Sequence, residues 1–114
     1  MSKSLKRVRR ALEESGVAFR LQEMAEETRT ARQAADAAGC TLDQIAKSIV
    51  LAGAESGDFA LFLTAGGNQV DRDAAGRLMG EPARIAEGTE VRAVTGFAIG
   101  GVAPVGHLTP IRAW

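Results

Sequence analysis

At 114 residues, with 46% hydrophobic and 25% charged residues, the chain has the size and composition of one soluble globular domain. Its 14 basic and 14 acidic residues cancel, which disfavours bulk attraction to DNA, and no apolar run is long enough to span a membrane. A single cysteine excludes an intrachain disulfide and no signal peptide is visible, so we expect a cytoplasmic protein.

The N-terminal part of the chain predicts helices around one strand. Residues 3–16 have an apolar stripe at helical spacing and end at glycine, which predicts a helix. Residues 17–24 alternate apolar and polar side chains, which predicts a strand. A threonine followed three residues later by glutamine predicts a capped helix over 28–40, and the same pattern predicts a short helix over 41–46.

The central part of the chain predicts a pair of buried strands. The apolar runs 47–53 and 58–65 are separated by a short turn, so we expect them to form an antiparallel hairpin. The remaining predicted elements are a helix over 70–80 capped by Asp71, a strand over 83–86 and a helix over 87–96. Adjacent antiparallel strands favour an α+β fold, with a mixed, largely antiparallel sheet or a partly closed barrel flanked by helices.

The glycine-rich stretch "TGFAIGGVAPVGH" at 95–107 does not match the known phosphate-binding loops. It follows a predicted helix and lacks the G-x-G-x-x-G and G-K-[ST] patterns, which excludes Rossmann and P-loop sites. Cys40 and His107, the sole cysteine and histidine, cannot build the usual zinc ligand sets, and no G-x-S-x-G elbow is present. We therefore expect no metal, no cofactor and no acyl-enzyme.

Two features with basic side chains each allow two interpretations. The first predicted helix carries four basic residues on one face: Lys3, Lys6, Arg7 and Arg10. This face is either simply solvated or an edge that contacts phosphates. Lys47 begins an otherwise apolar strand. It is either an exposed lysine at the sheet rim or a lysine whose ammonium projects into a cleft, towards a phosphate or a carbonyl oxygen that gains charge.

Two segments together, "TARQAADAAGCTLDQIAKSIVL" and "TGFAIGGVAPVGH", resemble the YbaK/EbsC family, free-standing relatives of the editing domain of bacterial prolyl-tRNA synthetases. The resemblance rests on a T-A-x-x-A-A helix, a lysine that opens the central strand and a T-G…G-G-x-x-P-x-G-H loop, and it extends from the first helix to His107. It implies one editing domain over 1–114. It also implies hydrolysis of the ester that joins a wrong amino acid to tRNA, typically tRNA-Pro carrying cysteine, alanine or another small amino acid. Aminoacyl-tRNA is then the implied partner, with prolyl-tRNA synthetase a possible second.

The resemblance also implies roles for particular residues. The family's lysine corresponds to Lys47, which would hold the terminal nucleotide and polarise the ester. The implied substrate-binding residues are Ser48, Gly100, Gly101, Val102, Ala103, Pro104, Gly106 and His107. Backbone N–H groups of the loop would stabilise the oxyanion, while the substrate's ribose hydroxyl positions the attacking water. Ser48 is more similar to the cysteine-clearing and general branches than to the alanine-specific one. His107 would either orient water or ribose, or be a hydrogen-bonded structural residue.

The segment after the glycine-rich loop is short. Family members usually continue for several tens of residues, so we expect the chain to lack the family's C-terminal portion and Trp114 to need cover. The same observation leaves an alternative function, a catalytically weak or inactive module that binds aminoacyl-tRNA or a nucleotide. Monomer and dimer both remain open.

Overall fold

The computed structural model describes residues 2–24, 28 and 30–114, and its centre is a four-stranded sheet with helices on both faces. Among the described residues, none of the helices has the length and apolar character needed to cross a bilayer. In chain order the elements are α1 (Lys3–Ser15), α2 (Ala31–Ala38), one turn of 3-10 helix (Leu42–Gln44), β1 (Ala46–Gly53), β2 (Phe59–Ala65), α3 (Arg72–Met79), β3 (Ala83–Ile85), α4 (Gly88–Thr95) and β4 (Arg112–Ala113).

The sheet is mixed and open, with strand order β3-β1-β2-β4. β1 pairs antiparallel with both β2 and β3, whereas β4 pairs parallel with β2. The predicted α+β class with a largely antiparallel sheet is therefore confirmed, in its open rather than its barrel form. The predicted hairpin of two central strands is also confirmed, with Val50 opposite Leu61 in the register.

The core lies on both faces of this hairpin because successive side chains of a strand point to opposite faces. On one face Leu51 and Phe62 pack with Met79 of α3. On the other face Ala52 packs with Val91 of α4, which is fully buried. Burial of β1 and β2 on both faces explains why their sequences are continuous apolar runs rather than alternating patterns.

The predicted strand over 17–24 is wrong. This segment lies in no strand, and Val17 and Phe19 are 63% and 38% exposed. Alternation buries one set of side chains only when the backbone joins a sheet, and residues 17–24 pair with none of the four strands. The predicted helix over 41–46 shortens to the single 3-10 turn, because Ile45 is already extended and leads directly into β1.

The C-terminal residue is held against β2. The Trp114 ring stacks on Phe62 with ring centroids 5.4 Å apart and an interplanar angle of 13°. Its backbone N–H donates to the Leu61 carbonyl (2.9 Å), and its carbonyl accepts from the Leu63 N–H (2.7 Å). The cover expected for Trp114 therefore comes from β2, although its residue surface is still 40% exposed.

An ion pair connects β3 to the first turn of α4, the helix that leads into the glycine-rich loop. Both Arg84 Nη atoms donate to the Glu90 carboxylate, at 3.0 and 2.9 Å, which is the two-bond geometry that makes such pairs strong. The Glu87 N–H donates to the same carboxylate at 2.9 Å. These hydrogen bonds, first from Arg84 and then from Glu87, lower the pKa of Glu90 to about 2.

Replacing Glu90 with glutamine is expected to change how stability depends on pH. Since folding lowers the pKa of Glu90, its ionised form favours the folded state above the ordinary value of 4.5, and this contribution is lost as pH falls towards about 2. Thermal unfolding should thus show that wild type is more stable than Glu90→Gln at pH 7. The difference in melting temperature between the two proteins should narrow as pH falls from 4.5 to about 2. Glu14→Gln, whose side chain is 69% exposed, is the control, and a gap for Glu90→Gln that stays constant would contradict the expectation.

Candidate active site

A cleft of about 330 Å³ opens between the start of α2, the start of β1 and the loop that follows α4. Four residues that the sequence singled out meet there, although more than fifty positions separate the two segments that carry them. They are Lys47, Ser48, Gly100 and Val102. The other described residues that line it are Thr28, Thr30, Ala31, Ala34, Ile45, Ala46 and Ile49.

One wall of the cleft is the outer edge of β1, the side of residues 46–49 that faces away from β2. β3 pairs with β1 over 51–53, so among the described residues no strand covers this outer edge. The Gly53 N–H bonds to Asp58 and the Ile45 carbonyl accepts from Gly66, so the odd-numbered residues of β1 pair with β2. In an antiparallel ladder the intervening residues then direct their N–H and C=O groups to the outer edge. The cleft is therefore bordered by backbone donors and acceptors of Ala46 and Ser48.

Lys47 is half-buried beside this edge. Its Nζ donates to the carbonyl of Gly66, just after β2, at 3.4 Å, which is long for such a bond and therefore weak. An ammonium carries three N–H donors, so Lys47 can keep this contact and still bind an oxygen of a ligand. Both interpretations of Lys47 describe part of its position. It lies near the start of β1, at the rim of the sheet, and it also lines a cleft.

Gly100 and Val102, in the loop that follows α4, form a second wall of the cleft. The Gly101 N–H donates to the Ala98 carbonyl at 2.9 Å, which closes a four-residue turn. Gly100 is the third residue of that turn with φ 83°, the conformation that makes glycine the favoured residue in a type II turn. Val102 packs on the cluster of Ala52 and Val91, which fixes the far end of this wall to the core.

Five of the predicted substrate-binding residues do not line the cleft in the part of the chain that the structure describes: Gly101, Ala103, Pro104, Gly106 and His107. The His107 Nε2 lies 2.7 Å from the Ala103 carbonyl, and its ring meets Phe97 edge-on with centroids 6.1 Å apart. Because a carbonyl only accepts, Nε2 carries the proton in this contact. His107 thus has the contacts of a structural residue that closes the loop.

The structure adds residues that the sequence interpretation did not assign to the site. α2 presents Ala31 and Ala34 to the cleft, and Thr30 caps that helix by accepting from the Gln33 N–H at 3.1 Å. The T-A-x-x-A-A motif contained this signal, since its small residues three positions apart share one helix face. Small side chains there leave room between α2 and β1.

Arg7 is the second addition, and neither interpretation of the basic face fits it. Unlike Lys3, Lys6 and Arg10, which are exposed, Arg7 is half-buried against the glycine-rich loop. Its Nε donates to the Gly106 carbonyl at 2.8 Å and its Nη2 to the Gly96 carbonyl at 3.0 Å. The helical spacing placed these four residues on one face, but it did not show which of them the loop covers.

Across residues 2–24, 28 and 30–114, no group of three or more His, Cys, Asp and Glu side chains is arranged as a metal site. The model for the aminoacyl-tRNA editing domain matches residues 25–113. The chain belongs to the aminoacyl-tRNA editing domain family. The predicted relationship to editing domains is confirmed, and the cleft described above lies within the matched region.

Solved structures share this editing-domain fold. A protein described as a proposed trans-editing enzyme for prolyl tRNA synthetase is 49% identical and superimposes with a TM-score of 0.90, over 99% of this chain and 71% of that one. A scaffold protein for computationally designed epitope grafting is 42% identical with a TM-score of 0.88, over 99% of this chain and 72% of that one. Both similarities include α1, which precedes the region matched by the family model.

Among curated proteins, the uncharacterized protein YwhH of Bacillus subtilis (strain 168) is 38% identical over 77 residues. That match covers 68% of this chain and 48% of YwhH, so the chain matches about half the length of this curated relative.

Proposed function

We propose that the chain is a trans-editing hydrolase that releases a wrongly attached amino acid from aminoacyl-tRNA. The observation that carries the proposal is the convergence of Lys47, the outer edge of β1 and the Gly100 turn on one cleft, in a chain of the editing-domain family. These groups are a cation and a set of backbone donors, the features that stabilise negative charge developing on a carbonyl oxygen.

The proposed reaction is hydrolysis of the ester between the amino acid and the terminal ribose. Water adds to the carbonyl carbon, the carbonyl oxygen becomes an oxyanion, and the bond to the ribose oxygen then breaks. The ribose oxygen leaves with a proton, so the products are a free amino acid and a tRNA with its hydroxyl restored. Lys47 holds the terminal nucleotide and polarises the ester, and backbone N–H groups bordering the cleft bind the oxyanion.

The attacking water is positioned by the neighbouring hydroxyl of the substrate's ribose. Thr30, one of the cleft's hydroxyl residues, already caps α2 through its side-chain oxygen. Because the ribose and the backbone supply the orientation, the proposed mechanism uses neither a side-chain nucleophile nor a metal. His107 keeps the structural role described above, closing the loop through Ala103.

We propose that the cleft accepts a small amino acid. The apolar side chains that line it are Ala31, Ala34, Ile45, Ala46, Ile49 and Val102. We propose that the substrate is tRNA-Pro carrying cysteine, alanine or another small amino acid. We also propose that the protein acts in the cytoplasm, with prolyl-tRNA synthetase as a partner. The solved relative described as a proposed trans-editing enzyme for prolyl tRNA synthetase supports this choice.

A deacylation panel tests the proposal. The purified chain is incubated with tRNA-Pro charged with cysteine, alanine, serine, threonine or proline, and released amino acid is measured against buffer alone. We expect release of at least one small non-cognate amino acid well above the buffer rate, with prolyl-tRNA spared. Binding of these tRNAs without release would instead support the inactive binding module, and neither binding nor release would overturn both.

A further inference from the structure

The glycine-rich loop is pinned to α1 by one side chain. The Arg7 guanidinium bridges two carbonyls ten positions apart, Gly96 (3.0 Å) and Gly106 (2.8 Å). The same guanidinium lies over the buried ring of Phe97, 4.6 Å from its centroid. Arg7 therefore holds both ends of the segment 96–106 and the aromatic residue at its start.

The loop backbone packs closely on α1 at this contact. A Cβ added to Gly106, which has φ 79°, would lie only 3.3 Å from the Arg7 backbone oxygen, so a side chain there would both strain the backbone and press on the helix. Two backbone bonds close the neck of the loop just outside Arg7, from Leu108 to the Thr95 carbonyl (3.1 Å) and from Thr109 to the Val94 carbonyl (3.0 Å). The hydrogen bonds from Arg7 to Gly96 and Gly106 join the two ends of the loop at the next pair of residues inward.

We infer that Arg7 is a positioning residue, which fixes the loop so that Gly100 and Val102 border the cleft. A segment of eleven residues with four glycines loses much conformational entropy when it is ordered. Contacts that hold its two ends together therefore contribute more to its order than they would in a loop with fewer glycines. The planar fork of arginine directs two N–H donors at fixed angles, one to each carbonyl, whereas the donors of a lysine ammonium rotate freely about a single nitrogen. The catalytic consequence of this inference rests on the proposed function, but the ordering of the loop does not.

A role for Arg7 as a direct phosphate contact is the competing explanation. Its half-buried position and its two donors committed to carbonyls oppose that role. Arg10, on the same helix, has 82% of its side chain exposed and pairs with Glu14 one turn away. Arg10→Met is therefore a matched control, since it removes one positive charge from α1 without touching the loop.

The first test follows amide hydrogen exchange in Arg7→Lys, Arg7→Met and Arg10→Met. We expect the amides of Gly101, Leu108 and Thr109 to exchange about 10- to 100-fold faster in both Arg7 variants, because charge-assisted hydrogen bonds that close the neck are lost. The β1–β2 amides should be unchanged, which separates local loosening from global unfolding. Arg10→Met should match wild type. Unchanged loop exchange in Arg7→Lys, which keeps the alkyl stem and the charge, would overturn the inference.

The second test measures deacylation by the same variants. We expect kcat to fall about 10-fold in both Arg7 variants with little change in KM, because a misplaced wall weakens the transition state more than ground-state binding. Full activity of Arg7→Lys, or a raised KM with a weaker salt dependence in Arg7→Met, would indicate a phosphate contact and overturn the inference. If wild type itself is inactive, the proposed function fails, while the exchange measurement still decides the role of Arg7.

Discussion

Lys47→Ala is expected to lower kcat/KM for deacylation of mischarged tRNA by about 10²- to 10³-fold, the usual loss when one charge-stabilising donor is removed from an oxyanion site. Among the described residues, Lys47 is the one lysine or arginine that lines the cleft, and the carbonyl that its ammonium contacts at 3.4 Å leaves it able to bind substrate oxygens. The rate should be measured with the charged tRNA that the wild-type chain hydrolyses fastest.

Two further variants separate charge from packing. Lys47→Met keeps most of the half-buried stem and removes only the ammonium, so it should lose as much activity as Lys47→Ala. Lys6→Ala removes an exposed lysine from α1 and should keep the wild-type rate. Equal rates for wild type and Lys47→Ala would remove Lys47 from the mechanism, and full activity of Lys47→Met would show that its stem alone matters.

Leu61→Ala is expected to give the largest loss of stability, about 2–5 kcal/mol in the free energy of unfolding. Leu61 is fully buried, lies opposite Val50 in the central hairpin and belongs to the strand paired on both sides by β1 and β4. Truncation therefore leaves a cavity that the surrounding strands cannot collapse to fill. Urea unfolding followed by circular dichroism measures the change.

Leu63→Ala is the matched control for this loss. It is the same substitution two residues along the same strand, but Leu63 is 47% exposed, so we expect at most about 1 kcal/mol. Both variants keep the backbone bonds to Trp114, because these involve main-chain atoms alone. Losses of similar size at the two positions would mean that the centre of the sheet is not the principal core.

Much of the fold could be predicted because its signals are local. The α2 helix starts at the capping box of Thr30 and Gln33 and ends at Gly39, as its sequence indicated. The two apolar runs became the hairpin because a short turn brings neighbouring segments together at little entropic cost. The segment 17–24 and the two-residue β4 could not be predicted, since whether a segment joins a sheet depends on which edge is available to it.

The candidate site likewise has features that local sequence predicted and features that depend on tertiary contacts. Residue type and spacing were enough to predict that a lysine opens a buried strand and that a glycine-rich loop follows the last helix. The folded chain was needed to show that Ser48, Gly100 and Val102 share a cleft with Lys47, and that the His107 side chain contacts the loop's own backbone. It also decided that Arg7, among four basic residues on one helix face, is the one that holds the loop. Those outcomes depend on contacts between segments far apart in the chain, which no local pattern encodes.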